Sequence, residues 1–193
     1  MKTKLIATCF ALLALFSGCK KDKDYRYIMT MTTASDNVKI FMMGTDELTI
    51  DWGDGSAIET HIFELDERLL VSSTNSHSYS GTSSHTITIT GKNITRLHCV
   101  SNRLTNLNVN KNIKLRELQC MDNQLTNLDM SKNSELGVLD CSDNLLDAAA
   151  LNAFFKTLHK WKILNKGIYI GNNPGTDGCD PDIARNKGWL VYL

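Results

Sequence analysis

The sequence has no net charge and very little proline. Its 193 residues contain 21 lysines and arginines and 21 aspartates and glutamates. A chain with this balance generates no overall field that would attract nucleic acid or an acidic membrane, so we expect no nucleic-acid partner. With only 2 prolines and 42% hydrophobic residues, the composition is that of a globular protein and excludes wholesale disorder.

The sequence also lacks the short motifs that identify common enzymes. It contains no serine nucleophile elbow, phosphate-binding P-loop, zinc-binding histidine pair or dinucleotide-binding glycine fingerprint. The six cysteines fall into unrelated local contexts, so their even number does not indicate a disulfide framework. We therefore expect a protein that is not an enzyme, with no catalytic residues and no cofactor.

The first 18 residues have the pattern of an export signal. Two lysines precede an apolar stretch from Leu5 to Phe16, which is too short to span a bilayer stably. The following Ser17-Gly18-Cys19 resembles the end of a bacterial lipobox, and a plain secretory signal is the alternative interpretation. The resemblance implies that residues 1–18 are removed and that Cys19 carries fatty acyl chains such as palmitate. Several acyl chains form an effectively permanent membrane anchor.

Residues 19–24 form a charged tether that begins at the lipidated cysteine. An acid-containing run at this place is similar to the signals that send some Gram-negative lipoproteins to the outer face of the outer membrane. A solvated linker with no sorting role is an equal alternative. We therefore expect an outer-membrane lipoprotein whose partner is the membrane, through the N-terminal acyl chains, with surface display as one of the two interpretations.

Alternating apolar and polar residues over 25–91 predict a small β-sandwich. Three such runs are Tyr27–Met31, Val38–Met43 and Leu48–Trp52. The turn Trp52-Gly53-Asp54-Gly55-Ser56 follows, because paired glycines permit the positive φ of a tight hairpin. This turn, together with the later His77-Ser78-Tyr79 and a strand around Ile87, resembles a PKD domain. The resemblance implies an Ig-like sandwich of the kind common in extracellular proteins.

Two acids and three histidines of this segment form a conceivable metal site, namely Asp51, Asp54, His61, His77 and His85. No pair of them has the helical spacing of metal ligands. The acids also flank a turn, where aspartate is favoured because it bonds to backbone amides. We therefore predict structural roles and no metal site, and we expect Trp52 to fill the core.

A repeat of 21 residues is the strongest signal in the chain. Cys99, Cys120 and Cys141 each follow a leucine by two positions and precede an asparagine by three. The pattern L-x-x-L-x-C-x-x-N-x-L resembles a leucine-rich repeat. The resemblance implies a solenoid over 92–193 with a parallel β-ladder and a C-terminal cap. With the first segment, the predicted fold class is mixed α+β, a PKD-like sandwich fused to a short solenoid.

The repeat pattern also predicts the environment of individual residues. Each leucine and cysteine should point inward from a short strand, and the cysteines should be buried free thiols because neighbours in a ladder do not face one another. Each repeated asparagine should bond the backbone of its own turn and of the adjacent one. After the third repeat, Asp147 is expected to cap a helix that runs to about Trp161, with its apolar side, including that tryptophan, in the core.

The outward positions of the predicted strands form rows on a concave face, which is our candidate binding face. Its members are Arg96, His98, Val100, Glu117, Gln119, Met121, Val138, Asp140, Ser142 and Tyr169. His98 and Asp140 are two repeats apart, roughly 9–10 Å, which is too far for a general-base pair. Aromatics, Met and Arg suit a protein contact, so we predict a monomeric interaction or adhesion lipoprotein. The alternatives are a glycan-binding accessory of a polysaccharide-uptake system and a purely structural envelope component.

Overall fold

The computed structural model describes residues 27–63, 72–81 and 83–193. The export signal, Cys19 and the tether lie outside the described residues, so their assignments remain predictions. Within the ranges that are described, no helix is long and apolar enough to cross a bilayer.

Strands dominate the described chain. Its elements are β1 (Ile28–Thr33), β2 (Asn37–Asp51), β3 (Glu59–Phe63), β4 (Ser72–Ser78), β5 (His85–His98), β6 (Leu104–Asn108), β7 (Glu117–Gln119), β8 (Val138–Asp140), α1 (Ala148–Thr157), β9 (Gly167–Tyr169), α2 (Asp182–Arg185) and β10 (Leu190–Tyr192). A 3-10 turn, Thr176–Gly178, precedes α2. The long strands β2 and β5 alternate buried and exposed side chains along most of their length, which is the pattern of a sheet with one face on the core.

All of these strands belong to one mixed sheet. β5 lies in its middle, antiparallel to β1 and β2 and parallel to β7. β2 also pairs with β3 and β4, and β1 also pairs with β6. Beyond β7 the sheet continues through β8, β9 and β10, and each of these pairings is parallel. We call the parallel strands β5, β7, β8, β9 and β10 the parallel ladder.

The predicted fold class is wrong. The described part of the chain is mostly β, with 40% strand and 12% helix, and it forms one large mixed sheet of ten strands in place of a PKD-like β-sandwich fused to a solenoid. The boundary drawn after Gly91 falls inside β5, which continues through it without a break. β5 also pairs with β2 on both sides of this point, as Ile89 lies opposite Ile50 and Leu97 lies opposite Met42.

A glycine and two irregularities keep β2 paired with β5 over this distance. The register shifts between Met43 and Gly44 and again between Thr45 and Leu48. Gly44 is needed because a Cβ there would lie 2.6 Å from the carbonyl oxygen of Asn93. Bulges of this kind bend a strand without ending it, so the two runs predicted in this region become one strand of 15 residues.

One cluster of buried side chains lies beneath the sheet and extends through both parts of the chain. It contains Ile40 and Ile89 from the first part, Leu118 and Leu139 from the parallel ladder, and Phe154 from α1. Each of these side chains is fully buried. The two parts of the chain therefore share a core as well as a sheet.

The helix α1 begins as predicted and ends earlier. The Asp147 carboxylate accepts a hydrogen bond from the backbone amide of Ala150 at 2.7 Å, which confirms the predicted cap. The helix ends at Thr157, where the Lys187 ammonium donates to the carbonyls of Phe155 and Leu158 at 3.1 and 2.8 Å. Trp161 was expected in the core and is instead 67% exposed, because it follows the helix.

Candidate binding face of the parallel ladder

The strand register places most of the candidate residues in two adjacent rows. The first row is His98, Gln119, Asp140 and Tyr169, which occupy matching positions on successive strands. The second row is Arg96, Glu117 and Val138. Val100, Met121 and Ser142 follow the strands and lie at corresponding places. None of the ten candidate side chains is fully buried. We call the surface that they form the ladder face.

Two aromatic residues extend the first row, and sequence reasoning did not include either of them. Phe41 of β2 lies opposite His98, and the two rings stack with centroids 4.8 Å apart. Tyr192 of β10 lies opposite Tyr169, and their rings stack at 4.5 Å with planes 11° apart. These tyrosines are 43% and 44% exposed. The row therefore has aromatic side chains at both ends and polar side chains between them.

Glu117 organises the polar middle of the ladder face. Its carboxylate accepts hydrogen bonds from His98 at 2.9 Å and Gln119 at 3.0 Å, and it forms an ion pair with Arg96 at 3.3 Å. These contacts join β5 and β7 through one side chain that is only 18% exposed. Because hydrogen bonds to a charged acceptor are stronger than neutral ones, the network holds these side chains in fixed positions before any ligand binds.

Asp140 is also held in place, by the turn that follows β8. Its Oδ1 accepts hydrogen bonds from the backbone amide and the hydroxyl of Ser142, at 3.0 and 2.5 Å.

At the end of the row that Phe41 forms, a cleft of about 360 Å³ lies beside the Phe41–His98 stack. Lys39, Phe41, Thr74, His98 and Val100 line it. A volume of this size accommodates a side chain or a small ligand group.

Buried asparagines fix the spacing of the strands beneath the ladder face. The Asn123 amide donates to the carbonyls of Cys120 and Cys99, at 3.0 and 2.9 Å, so it bonds its own turn and the preceding one. Asn144 repeats both contacts one turn later. These contacts confirm the predicted role. In the first repeat, the Asn102 side chain accepts a hydrogen bond from the backbone amide of Lys39 and donates one to its carbonyl. These two bonds tie the ladder to β2.

The three repeated cysteines contribute packing beneath the sheet. Cys99, Cys120 and Cys141 are fully buried, as predicted, and none is bonded to another. Each thiol lies 3.3–3.7 Å from a carbonyl oxygen of the next strand. Burial raises the pKa of the Cys99 thiol to about 12 and also raises the pKa of the other two. The thiolate form required of a nucleophile is therefore strongly disfavoured.

The acids and histidines near the Trp52 turn hold that turn together. Asp51 accepts a hydrogen bond from the amide of Gly53, and Asp54 accepts one from the amide of Ser56, each at 3.0 Å. The second oxygen of Asp54 contacts His77 at 2.7 Å. Trp52 is 1% exposed, as expected of a core residue. In the described ranges, no group of three or more His, Cys, Asp or Glu side chains is arranged to hold a metal ion.

The ladder face thus offers surface chemistry for non-covalent recognition. It combines stacked aromatics, a fixed carboxylate network and partly exposed apolar side chains, all on strands whose spacing is set by buried asparagines. Comparison of the chain with models of known protein families and with curated proteins finds no match.

Proposed function

We propose that this chain is a cell-surface lipoprotein that binds a protein ligand through the ladder face. The observation that carries the proposal is the row that begins at Phe41 and ends at Tyr192, with a pre-ordered polar centre. Six strands at ~4.8 Å spacing make this row about 24 Å long, which fits an extended peptide or one edge of a folded partner. Tyrosine and arginine are the residues that most often dominate such interfaces.

The geometry of the tyrosines favours a protein ligand over a glycan. Sugars stack on the flat faces of aromatic rings, whereas Tyr169 and Tyr192 each cover one face of the other. Their remaining surface suits insertion between the side chains of a partner. Glycan capture for a polysaccharide-uptake system remains the second candidate. The feature that supports it is Tyr192, because its strand is the last of the parallel ladder and no further strand of the described residues lies beside it there.

A binding screen tests the proposed function. The probe is a lipid-free protein that begins at Lys20 and keeps every described residue, applied to arrays of proteins and of glycans. We expect saturable binding to a protein, and we expect Tyr169→Ala together with Tyr192→Ala to weaken it about 30-fold or more, as the loss of a hot spot does. Trp161→Ala is the matched control, since this exposed aromatic lies off the ladder face and should leave the affinity unchanged.

Two results would contradict a protein ligand. Saturable glycan binding that Tyr192→Ala abolishes and Tyr192→Phe preserves would establish the second candidate in its place. Protein binding that the double tyrosine variant leaves unchanged would remove the ladder face from the function.

Membrane attachment has its own test, because it rests on Cys19. In cells, Cys19→Ala should move the protein from the membrane fraction to the soluble fraction after a high-salt wash, since no acyl chains would hold it. The measurement is fractionation together with incorporation of labelled palmitate. Cys9→Ala is the control, because this cysteine lies within the predicted signal and its loss should leave attachment intact. Retention of Cys19→Ala in the membrane would contradict the anchor.

A further inference from the structure

The segment that follows α1, residues 159–166, exposes large apolar side chains. Trp161 is 67% exposed and Leu164 is 89% exposed. The other two tryptophans, Trp52 and Trp189, are 1% and 2% exposed. Exposing two large apolar side chains together is unfavourable in water, because burying their surface, and above all the tryptophan ring, is strongly favourable. We call residues 159–166 the basic loop.

Contacts of Lys166 and Trp189 fix the backbone from which Trp161 and Leu164 are exposed. Lys166 is buried, and its ammonium donates to the carbonyls of Trp161 and His159, at 2.8 and 3.3 Å. The same ammonium lies 5.1 Å from the centre of the Trp189 ring, whose indole N–H donates to His159 at 3.0 Å. The base of the basic loop is therefore fixed to the core, and the fixed base holds Trp161 and Leu164 outward.

The basic loop and its surroundings carry positive charge. Residues 148–176 contain four lysines and neither aspartate nor glutamate. Lys160 and Lys162 are exposed on both sides of Trp161, and Lys187 reaches the same surface from the end of α2. Together with the apolar side chains they line a cleft of about 520 Å³.

Two acidic side chains on the adjoining surfaces are paired. Glu135 lies beside Ile163 in a neighbouring cleft, where Lys114 and Arg116 bind its carboxylate at 2.7 and 3.1 Å. Asp182 at the start of α2 is paired with Arg185 at 3.1 Å. Neither acid cancels the charge of the lysines, so the surface attracts an anionic partner over about a Debye length, ~8–10 Å at moderate salt.

We propose that the basic loop binds the surface of an anionic phospholipid bilayer. Trp161 and Leu164 enter the headgroup region, and Lys160 and Lys162 pair with lipid phosphates. A soluble phosphate or a polyanion would satisfy the lysines and leave both apolar side chains in water. An anionic bilayer satisfies both features, because tryptophan prefers the membrane interface and lysines are attracted to its surface potential.

Vesicle binding of the lipid-free protein tests this proposal apart from the ladder face and from Cys19. We expect co-sedimentation with vesicles of phosphatidylglycerol and none with phosphatidylcholine, and loss of binding at high salt. Because the other two tryptophans are buried, a blue shift of the emission and protection from acrylamide quenching would report on Trp161.

Paired variants separate the charge from the apolar contact. Lys160→Glu with Lys162→Glu should reduce partitioning by about 30-fold or more, since each lysine near an anionic surface contributes roughly fivefold. Leu164→Ala should weaken binding and keep its dependence on salt. The control is Lys92→Glu with Lys132→Glu, which makes the same charge change at exposed positions elsewhere and should bind normally. Circular dichroism would verify that each variant is folded.

Several results would overturn the proposal. Absence of binding to phosphatidylglycerol vesicles would do so, and so would an equal loss in the control variant. Binding to a short DNA duplex without binding to vesicles would show that the basic loop recognises a soluble polyanion.

Discussion

Replacing Asn123 with alanine is expected to lower the free energy of unfolding by about 3–5 kcal/mol, because several buried backbone groups would lose their partners at once. The side-chain oxygen of Asn123 accepts hydrogen bonds from the backbone amides of Asn102 and Leu104, at 3.1 and 2.9 Å. Its amide donates to three carbonyls, which include those of Cys99 and Cys120. Alanine can replace none of these bonds, and little water reaches the site, as the side chain is 7% exposed.

Urea unfolding of the lipid-free protein measures this effect. Asn186→Ala is the control, because that asparagine is exposed on α2's C-terminal side and its replacement should change stability by less than about 0.5 kcal/mol. Asn144→Ala should also destabilise the protein strongly, since its side chain donates to three carbonyls and accepts from the amide of Leu125, one accepted bond fewer than Asn123 makes. A stability loss of less than about 1 kcal/mol in both ladder variants would mean that the asparagines do not support the strands.

Replacing Gly44 with valine is expected to destabilise the protein by about 2–4 kcal/mol through steric conflict. The new Cβ would lie 2.6 Å from the Asn93 carbonyl oxygen and 3.1 Å from the Ile94 Cα, so backbone and not a flexible side chain would have to move. This contact lies where β2 and β5 remain paired through the predicted domain boundary. The damage should therefore spread to both parts of the chain.

The same unfolding measurement, followed by two probes, tests that continuity. Gly171→Ala is the matched control, because its Cβ would make an ordinary contact of 3.5 Å with Leu193. If the chain is one sheet, Gly44→Val lowers the midpoint equally for the emission of the buried tryptophans Trp52 and Trp189, which lie in different parts. To resolve the two signals, Trp161→Phe is combined with replacement of either Trp52 or Trp189, so that each variant keeps one buried tryptophan. A shifted Trp52 transition with an unchanged Trp189 transition would indicate two independent units.

The part of the fold that the sequence predicts best is the parallel ladder. The 21-residue period fixes the register of Leu97, Leu118 and Leu139, because equivalent positions of a repeat stack on one another. It also predicts the buried cysteines and the bonding of Asn123 and Asn144. Repetition is informative here because each copy reports the same local environment independently.

The continuity of the sheet was beyond sequence reasoning. Apolar alternation predicts strands in β2 and β5 but does not indicate which strands pair, since pairing joins residues far apart in the chain. In the sequence, Gly44 resembles a break between two short strands. In the structure, its lack of a side chain lets the backbone of β2 approach that of Asn93 closely. A fold class assigned by resemblance of separate segments therefore divided one sheet into two units.

The ends of the ladder face were missed for similar reasons. Phe41 belongs to an antiparallel strand outside the repeats, and the segment that contains Tyr192 lacks the repeat signature that would give its register. A C-terminal cap was predicted, but the alignment of its last strand with Tyr169 depends on how the cap folds. The exposure of Trp161 follows from the end of α1 at Thr157, where Lys187, a residue 26 positions beyond this tryptophan, donates to the carbonyl of Leu158.

Hydrogen exchange of the lipid-free protein, with and without the protein ligand recovered by the binding screen, tests most directly whether the ladder face is the binding surface. The proposal predicts slower exchange of backbone amides in β7 to β10 on binding, together with the residues around Phe41 and His98. Amides of β3 and of the basic loop should be unchanged. Protection of β3 or of the basic loop, with the parallel ladder unaffected, would contradict it.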